Sequence, residues 1–126
     1  MELRLFKTLW GHSSDFQSAV NRAVRAGFQG IEGPAPGDTE QAREYLSLLT
    51  ETGLGYIAEI TTAGTNVPNR HATPDEHLES LKRKLDQSLV MCPEVINCLG
   101  GCDAWSEELS LEFLARAMDV SDSKEI

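Results

Sequence analysis

Residues 28–53 decide the fold: Phe28-Gln29-Gly30-Ile31-Glu32, then Gly33-Pro34-Ala35-Pro36-Gly37, then Asp38 and a run ending at Gly53. The first five residues form a short, largely apolar run bounded by turn formers, which predicts a strand. The glycine- and proline-rich stretch suits neither a helix nor a sheet interior, so it is a loop. Asp38 followed by Gln41 is a capping pattern, in which a side-chain oxygen accepts from an orphan backbone N–H of the first helical turn. Ala42, Tyr45, Leu46 and Leu49 then recur at helical spacing. Gly53 stands where a left-handed C′ residue ends a helix.

The same order of signals lies on both sides of this stretch. Before it, Leu3–Leu9 reads as a strand and Trp10-Gly11-His12-Ser13 as its loop. Ser14 with Gln17 reads as a capping box, Phe16, Ala19, Val20, Ala23 and Val24 as a helical stripe, and Gly27 as its stop. After it, Gly55–Ile60 reads as a third strand with a long loop from Thr61 to Ala72. Thr73-Pro74-Asp75-Glu76 is the sharpest local signal, combining an N-cap threonine, proline at the first helical position and glutamate at the third. Leu78, Leu81, Leu85 and Leu89 share one face behind it. The fourth strand is Val95–Leu99, its loop Gly100-Gly101-Cys102-Asp103-Ala104-Trp105, and its helix is capped by Ser106 and striped by Phe113, Leu114, Ala117 and Met118.

Alternating strands and helices imply parallel strands joined by right-handed crossovers. An eightfold βα barrel uses roughly 31 residues per unit, so four units need about 125. The chain has 126 residues. The expected fold class is therefore α/β, four (β/α) repeats making half of a TIM barrel over residues 1–118, with residues 119–126 as a frayed tail. The rival is a flavodoxin-like sheet covered on both faces, whose strands read as unbroken apolar runs. Arg4, Lys7, Gln29, Glu32, Glu59 and Asn97 interrupt the strands here and favour the barrel.

Composition narrows the function. Eleven basic against 20 acidic residues give a net charge of −9. An acidic chain gains little from counterion release on a phosphate backbone, so nucleic acid is not expected as a partner. Lys82, Arg83 and Lys84 cluster, but with Glu79 and Asp86 they read as a solvated helix face. No apolar run reaches the ~20 residues of a bilayer span. With no signal-peptide pattern at the start, a cytoplasmic location and no membrane partner are expected. Cys92, Cys98 and Cys102 lack zinc or redox spacing. Cys92 reads as a buried helix-end thiol and Cys98 as a strand-end residue.

Barrel active sites gather at the C-terminal ends of strands and in the loops that follow. That rule names Trp10 and His12, Glu32, Glu59, Thr61 and Thr62, His71 and His77, and Asn97, Asp103 and Trp105. Carboxylates and amides bind sugar hydroxyls, and tryptophan stacks on the apolar sugar face. Glu32 and Glu59 are the candidate catalytic carboxylates, either of which would serve as a general base if burial raised its pKa. Trp10, His12, Thr61, His77, Asn97, Asp103 and Trp105 are the candidate substrate-binding residues. Plainer readings stand beside these: Glu59 simply solvated on the outer strand face, His77 on a helix surface, the tryptophans as loop anchors. Gly100-Gly101 reads either as an anion nest or as turn geometry. No phosphate loop or nucleophile elbow is present, and Gly27-Phe28-Gln29-Gly30 follows a helix, the wrong context for a phosphate loop.

Leu9-Trp10-Gly11, Ala26-Gly27-Phe28-Gln29-Gly30-Ile31-Glu32, Tyr56-Ile57-Ala58-Glu59-Ile60, and Asn97 through Gly101 with Asp103, Trp105 and Ser106 together resemble the xylose isomerase-like TIM-barrel family, which includes sugar-phosphate isomerases and epimerases. The resemblance spans residues 6 to 106. It implies a sugar or sugar phosphate as substrate. In an intact barrel it implies a divalent metal such as manganese, cobalt or zinc, held largely by strands five to eight. It therefore implies the substrate-side half here, with Trp10, Glu32, Asn97 and His77 as matching positions, no metal ligand and no cofactor in this chain, and no turnover by the chain alone. Two alternatives remain: a homodimer of half-barrels closing one ring, which would remove the open edge strands, and a non-catalytic protein whose acidic helices bind a partner.

Overall fold

The computed structural model describes residues 1–12 and 14–125. Ser13, in the expected first loop, and Ile126, in the expected tail, lie outside the described residues. Eight elements alternate as β1 (Phe6–Thr8), α1 (Phe16–Ala26), β2 (Gly30–Gly33), α2 (Thr39–Thr52), β3 (Gly55–Thr61), α3 (Pro74–Leu89), β4 (Val95–Leu99) and α4 (Glu107–Ser123). The four strands are parallel and form one sheet in the order β1-β2-β3-β4. A flavodoxin-like fold places the second strand outside the first. The sequential order therefore excludes that rival and gives the topology of four consecutive units of a βα barrel.

The chain divides into two compact units, one of Met1–Glu59 with Asp86–Asn97 and one of Ile60–Leu85 with Cys98–Ile126. In the first unit, Lys7, Ile31 and Tyr56 share one register line and Thr8, Glu32 and Ile57 the next. Side chains alternate between faces along a strand. Ile31, Tyr56 and Ala58 thus join Phe16, Val20 and Ala23 of α1 and Ala42 and Leu49 of α2 in a buried core. Phe16 stacks on Tyr45, ring centroids 3.9 Å apart and 7° from parallel. Thr8, Glu32, Ile57 and Glu59 fall on the opposite face. In the second unit the buried residues include Ile60, Leu78, Leu81, Leu85 and Phe113.

Helix ends follow the sequence signals closely. Asp38 accepts from the Gln41 N–H at 2.9 Å. Thr73 and Glu76 form the full reciprocal box, the Thr73 N–H donating to Glu76 Oε2 at 2.7 Å and the Glu76 N–H to Thr73 Oγ1 at 3.2 Å. Ser106 accepts from the Leu109 N–H at 3.2 Å. Gly27 and Gly53 end α1 and α2 with φ of 79° and 70°.

Five expectations need correction. The cap of α1 is Asp15 rather than Ser14: Asp15 Oδ1 accepts from the Ser18 N–H at 2.7 Å, a bond that holds the carboxyl below its usual range. β1 is shorter than Leu3–Leu9, because the Gln29 side chain takes the Leu5 N–H where a ladder partner would stand. β2 begins at Gly30 rather than Phe28, since the Phe28 N–H closes the end of α1 on the Ala23 carbonyl. The expected tail from Asp119 is instead helical through Ser123. Cys92 is exposed, in a left-handed turn at φ 50°, and not a buried thiol.

Candidate functional site

Strand alternation puts Thr8, Glu32 and Glu59 on the face away from α1 and α2. There Trp10 Nε1 donates to Glu59 Oε1 at 2.7 Å, and Asn97 Nδ2 donates to Glu32 Oε1 at 3.2 Å. Both carboxylates are half-buried. Each uses one oxygen in these bonds and keeps the other open among the described residues. Trp10 is 57% exposed, so its ring is accessible although its N–H is fixed. The turn after β1 aims it, because Thr8 Oγ1 accepts the Trp10 backbone N–H at 3.2 Å. Tyr56 donates its hydroxyl to the Gly33 carbonyl at 2.7 Å, tying the end of β2 to β3 beside Glu32. Burial, with the Glu59 charge as a lesser cause, raises the Tyr56 phenol pKa well above its ordinary value.

Four sequence-named residues thus come together in two pairs: Trp10 with Glu59, and Glu32 with Asn97. His12 stands apart, half-buried, with Nε2 3.3 Å from the Asp15 carbonyl at the start of α1.

The remaining named residues belong to the second unit and are mostly committed to structure. His77 is fully buried, against the expectation of a helix-surface histidine. Its Nε2 lies 3.0 Å from the Asn69 carbonyl and its Nδ1 2.7 Å from Thr62 Oγ1. A carbonyl only accepts, so Nε2 carries the proton and Nδ1 accepts the Thr62 hydroxyl. The Thr62 oxygen accepts in turn from the Gly101 N–H at 3.1 Å. With both nitrogens occupied, His77 has no atom left for a substrate. Trp105 meets the His77 ring edge-on at 4.9 Å and Phe113 at 5.4 Å, making it a loop anchor. Since the Gly101 N–H is used within the chain, that amide is closed to an anion. Thr61 is buried and its carbonyl accepts from Lys84. Asp103 is exposed, and His71 is exposed in the long loop, where its backbone N–H donates to Asn69 Oδ1.

A cleft of about 510 Å³ in this unit is lined by Val67, Pro68, Arg70, Leu99, Asp103 and neighbouring loop residues. Arg70 and Leu99 were not named from the sequence. Nor was Lys84, read as part of a solvated face. It is half-buried, and its ammonium bonds the Thr61 and Gly64 carbonyls. Burial pulls its pKa down. Spacing carried a signal for both misread residues: His77, Leu81, Lys84 and Ser88 recur every three or four residues along the buried stripe of α3.

Among the described residues no group of three or more His, Cys, Asp or Glu side chains is placed to hold a metal ion. The residues present do not fit the divalent metal that the family resemblance implies for an intact barrel. No helix among them is long and apolar enough to cross a membrane.

No family model matches the chain, and no curated protein sequence matches it. Solved structures do. A D-psicose 3-epimerase, determined in the presence of D-fructose, superposes with a TM-score of 0.64 at 11% identity, over 96% of this chain and 47% of that one. A GH5_18 protein from Bifidobacterium longum subsp. infantis superposes with a TM-score of 0.61 at 10% identity, over 98% of this chain and 42% of that one. The chain spans less than half the length of either. Identities this low show a shared fold, the βα-barrel arrangement, and nothing finer.

Proposed function

We propose that the chain is the sugar-binding half of a sugar or sugar-phosphate isomerase or epimerase. The observation that carries this reading is the pairing of Trp10 with Glu59 and of Glu32 with Asn97 on one sheet face. Two carboxylates, each with an oxygen open, offer acceptors for adjacent hydroxyls, and the exposed indole offers a stacking plane. The likeness in fold to a sugar epimerase supports the reading. Trp10 and Asn97 are the binding residues. Glu32 and Glu59 bind hydroxyls, and in a completed site one of them takes the proton beside the sugar carbonyl. Polarising that carbonyl needs a cation or another donor, and the family resemblance puts that group on strands five to eight of an intact barrel; in this reading the chain binds the sugar and leaves turnover to the completed barrel.

Tryptophan fluorescence titrated with free ketoses, ketose phosphates and a non-sugar polyanion tests this. A saturable change with sugar at millimolar affinity is expected, about −4 kcal/mol of binding free energy. It should vanish in Trp10→Phe and weaken about tenfold in Glu59→Gln. A sugar response that survives Trp10→Phe, or no response to any sugar, overturns the reading.

A further inference from the structure

The loop after β3 and the loop after β4 form the cleft of about 510 Å³, and every residue lining it belongs to the second unit. Its volume falls within the ~300–1,000 Å³ of small-molecule pockets. Bonds inside the unit tie the two walls together. The Thr62 N–H donates to the Leu99 carbonyl at 3.0 Å, and the Cys102 thiol donates to the Arg70 carbonyl at 3.6 Å. His77 holds the Asn69 carbonyl on one side and reaches the Gly101 N–H on the other through Thr62 Oγ1. The cleft is therefore set before a ligand arrives, and a preset site loses no affinity to the ordering of its own loops. Its walls combine two kinds of surface. Val67, Pro68 and Leu99 are apolar, with Val67 and Leu99 71% and 45% exposed. Arg70 and Asp103 are the charged side chains of the lining, one of each sign. Neither charge has a hydrogen-bond or ion-pair partner among the described residues, and the two do not pair with each other.

We propose that this cleft binds a small zwitterion, an α-amino acid with an aliphatic side chain. The Arg70 guanidinium takes the carboxylate through its paired donors. The Asp103 carboxylate takes the ammonium. The aliphatic side chain lies against Val67, Pro68 and Leu99, which removes apolar surface on both partners from water. The balance of charge selects this class of ligand. A phosphate dianion gains Arg70 but meets Asp103, in a chain of net charge −9. A simple cation gains Asp103 but meets Arg70. A neutral sugar leaves both charges without a counter-charge. A ligand carrying both signs on an apolar body answers every group in the lining. The proposal rests on the cleft alone and stands or falls apart from the sugar reading, whose residues Trp10, Glu32, Glu59 and Asn97 all lie in the first unit.

Backbone-amide NMR of the 126-residue chain, titrated with L-leucine, reads the outcome directly. Saturable shifts centred on Arg70, Asp103 and Ala104 are expected, with a Kd of about 1 mM. N-acetylleucine lacks the ammonium and leucinamide lacks the carboxylate, so each should bind at least ~10-fold more weakly. Arg70→Gln and Asp103→Asn change exposed side chains, and circular dichroism should show the helices kept. Each variant should erase one preference and leave the other. Asp103→Asn should bind leucine and N-acetylleucine within ~2-fold of each other, and Arg70→Gln leucine and leucinamide within ~2-fold. Variants that weaken all three ligands alike, with both preferences intact, overturn the proposal, since the two residues would then only shape the cleft. No saturable response to leucine, shifts centred on Trp10 and Glu59 instead, or tighter binding of inorganic phosphate than of leucine overturns it equally.

Discussion

Thr62→Val tests the buried polar chain of the second unit. The substitution keeps the shape of the side chain and removes only its hydroxyl. Thr62 is fully buried, so no water replaces the lost group. Two partners lose their bonds together: the Gly101 N–H, 3.1 Å from Thr62 Oγ1, and His77 Nδ1, 2.7 Å from it. A buried polar group left without a partner costs about 1–3 kcal/mol, so two cost about 2–4 kcal/mol after some relaxation. Against a total stability of about 5–15 kcal/mol this is a large share. With a urea m-value of about 2 kcal/mol/M, the midpoint should fall by about 1–2 M. Thr39→Val serves as the control, because Thr39 is exposed at the start of α2 and should shift the midpoint by less than about 0.3 M. In the parent chain, nitrogen NMR of His77 should show the proton on Nε2. A Thr62→Val midpoint within 0.3 M of the parent, or a proton on Nδ1, would refute the assigned chain of bonds.

Two further outcomes follow from the first unit. The Arg4 side chain bonds Glu94, and with it holds the Glu94 carboxyl below its ordinary range; Asp15 is lowered by the Ser18 N–H. A carboxylate whose folded pKa is depressed stabilises the fold above its unfolded pKa, near 4, and loses that contribution as pH falls through the folded value. The urea midpoint should therefore drop between pH 5 and pH 2, and Glu94→Gln should flatten that drop; an unchanged slope in Glu94→Gln would contradict the assignment. The glycines should separate by position: a Cβ at Gly27 meets nothing within 4 Å, whereas one at Gly30 lies 2.7 Å from the Gly55 carbonyl oxygen. Gly27→Ala should cost about 1 kcal/mol for its left-handed φ alone, and Gly30→Ala clearly more by thermal melting; the reverse order would count against the β2–β3 register.

Local signals read correctly wherever one side chain satisfies its own neighbourhood. Thr73 with Glu76, Asp38 with Gln41 and the two C′ glycines needed only residues within five positions, and each stands where the sequence put it. Errors arose where distant residues compete for one backbone group. The Leu5 N–H is taken by Gln29, 24 residues away, and nothing in the run Leu3–Leu9 announces it. The same holds for the site. Strand alternation and the strand-end rule named Trp10, Glu32, Glu59 and Asn97, but not which would pair, since Trp10 meets Glu59 across 49 residues and Asn97 meets Glu32 across 65. His77 was misjudged for a different reason. A histidine near a helix start reads as exposed by type, while its spacing from Leu81 and Lys84 placed it inside, and spacing was the better guide because burial is set by the face and not by the residue.

The polar face of the first unit also explains why its strands look irregular. A parallel sheet normally hides both faces and can afford apolar residues throughout. Here one face receives Ile31, Tyr56 and Ala58 against two helices, and the other holds Glu32 and Glu59 only half-buried. A carboxylate is costly on a sheet face unless water or a partner reaches it, and an indole N–H or an amide supplies one bond of the several it can accept. The second oxygen of each carboxylate therefore needs solvent or a ligand. The chain keeps two glutamates there, each steadied by a neutral donor, which agrees with the proposed binding of sugar hydroxyls.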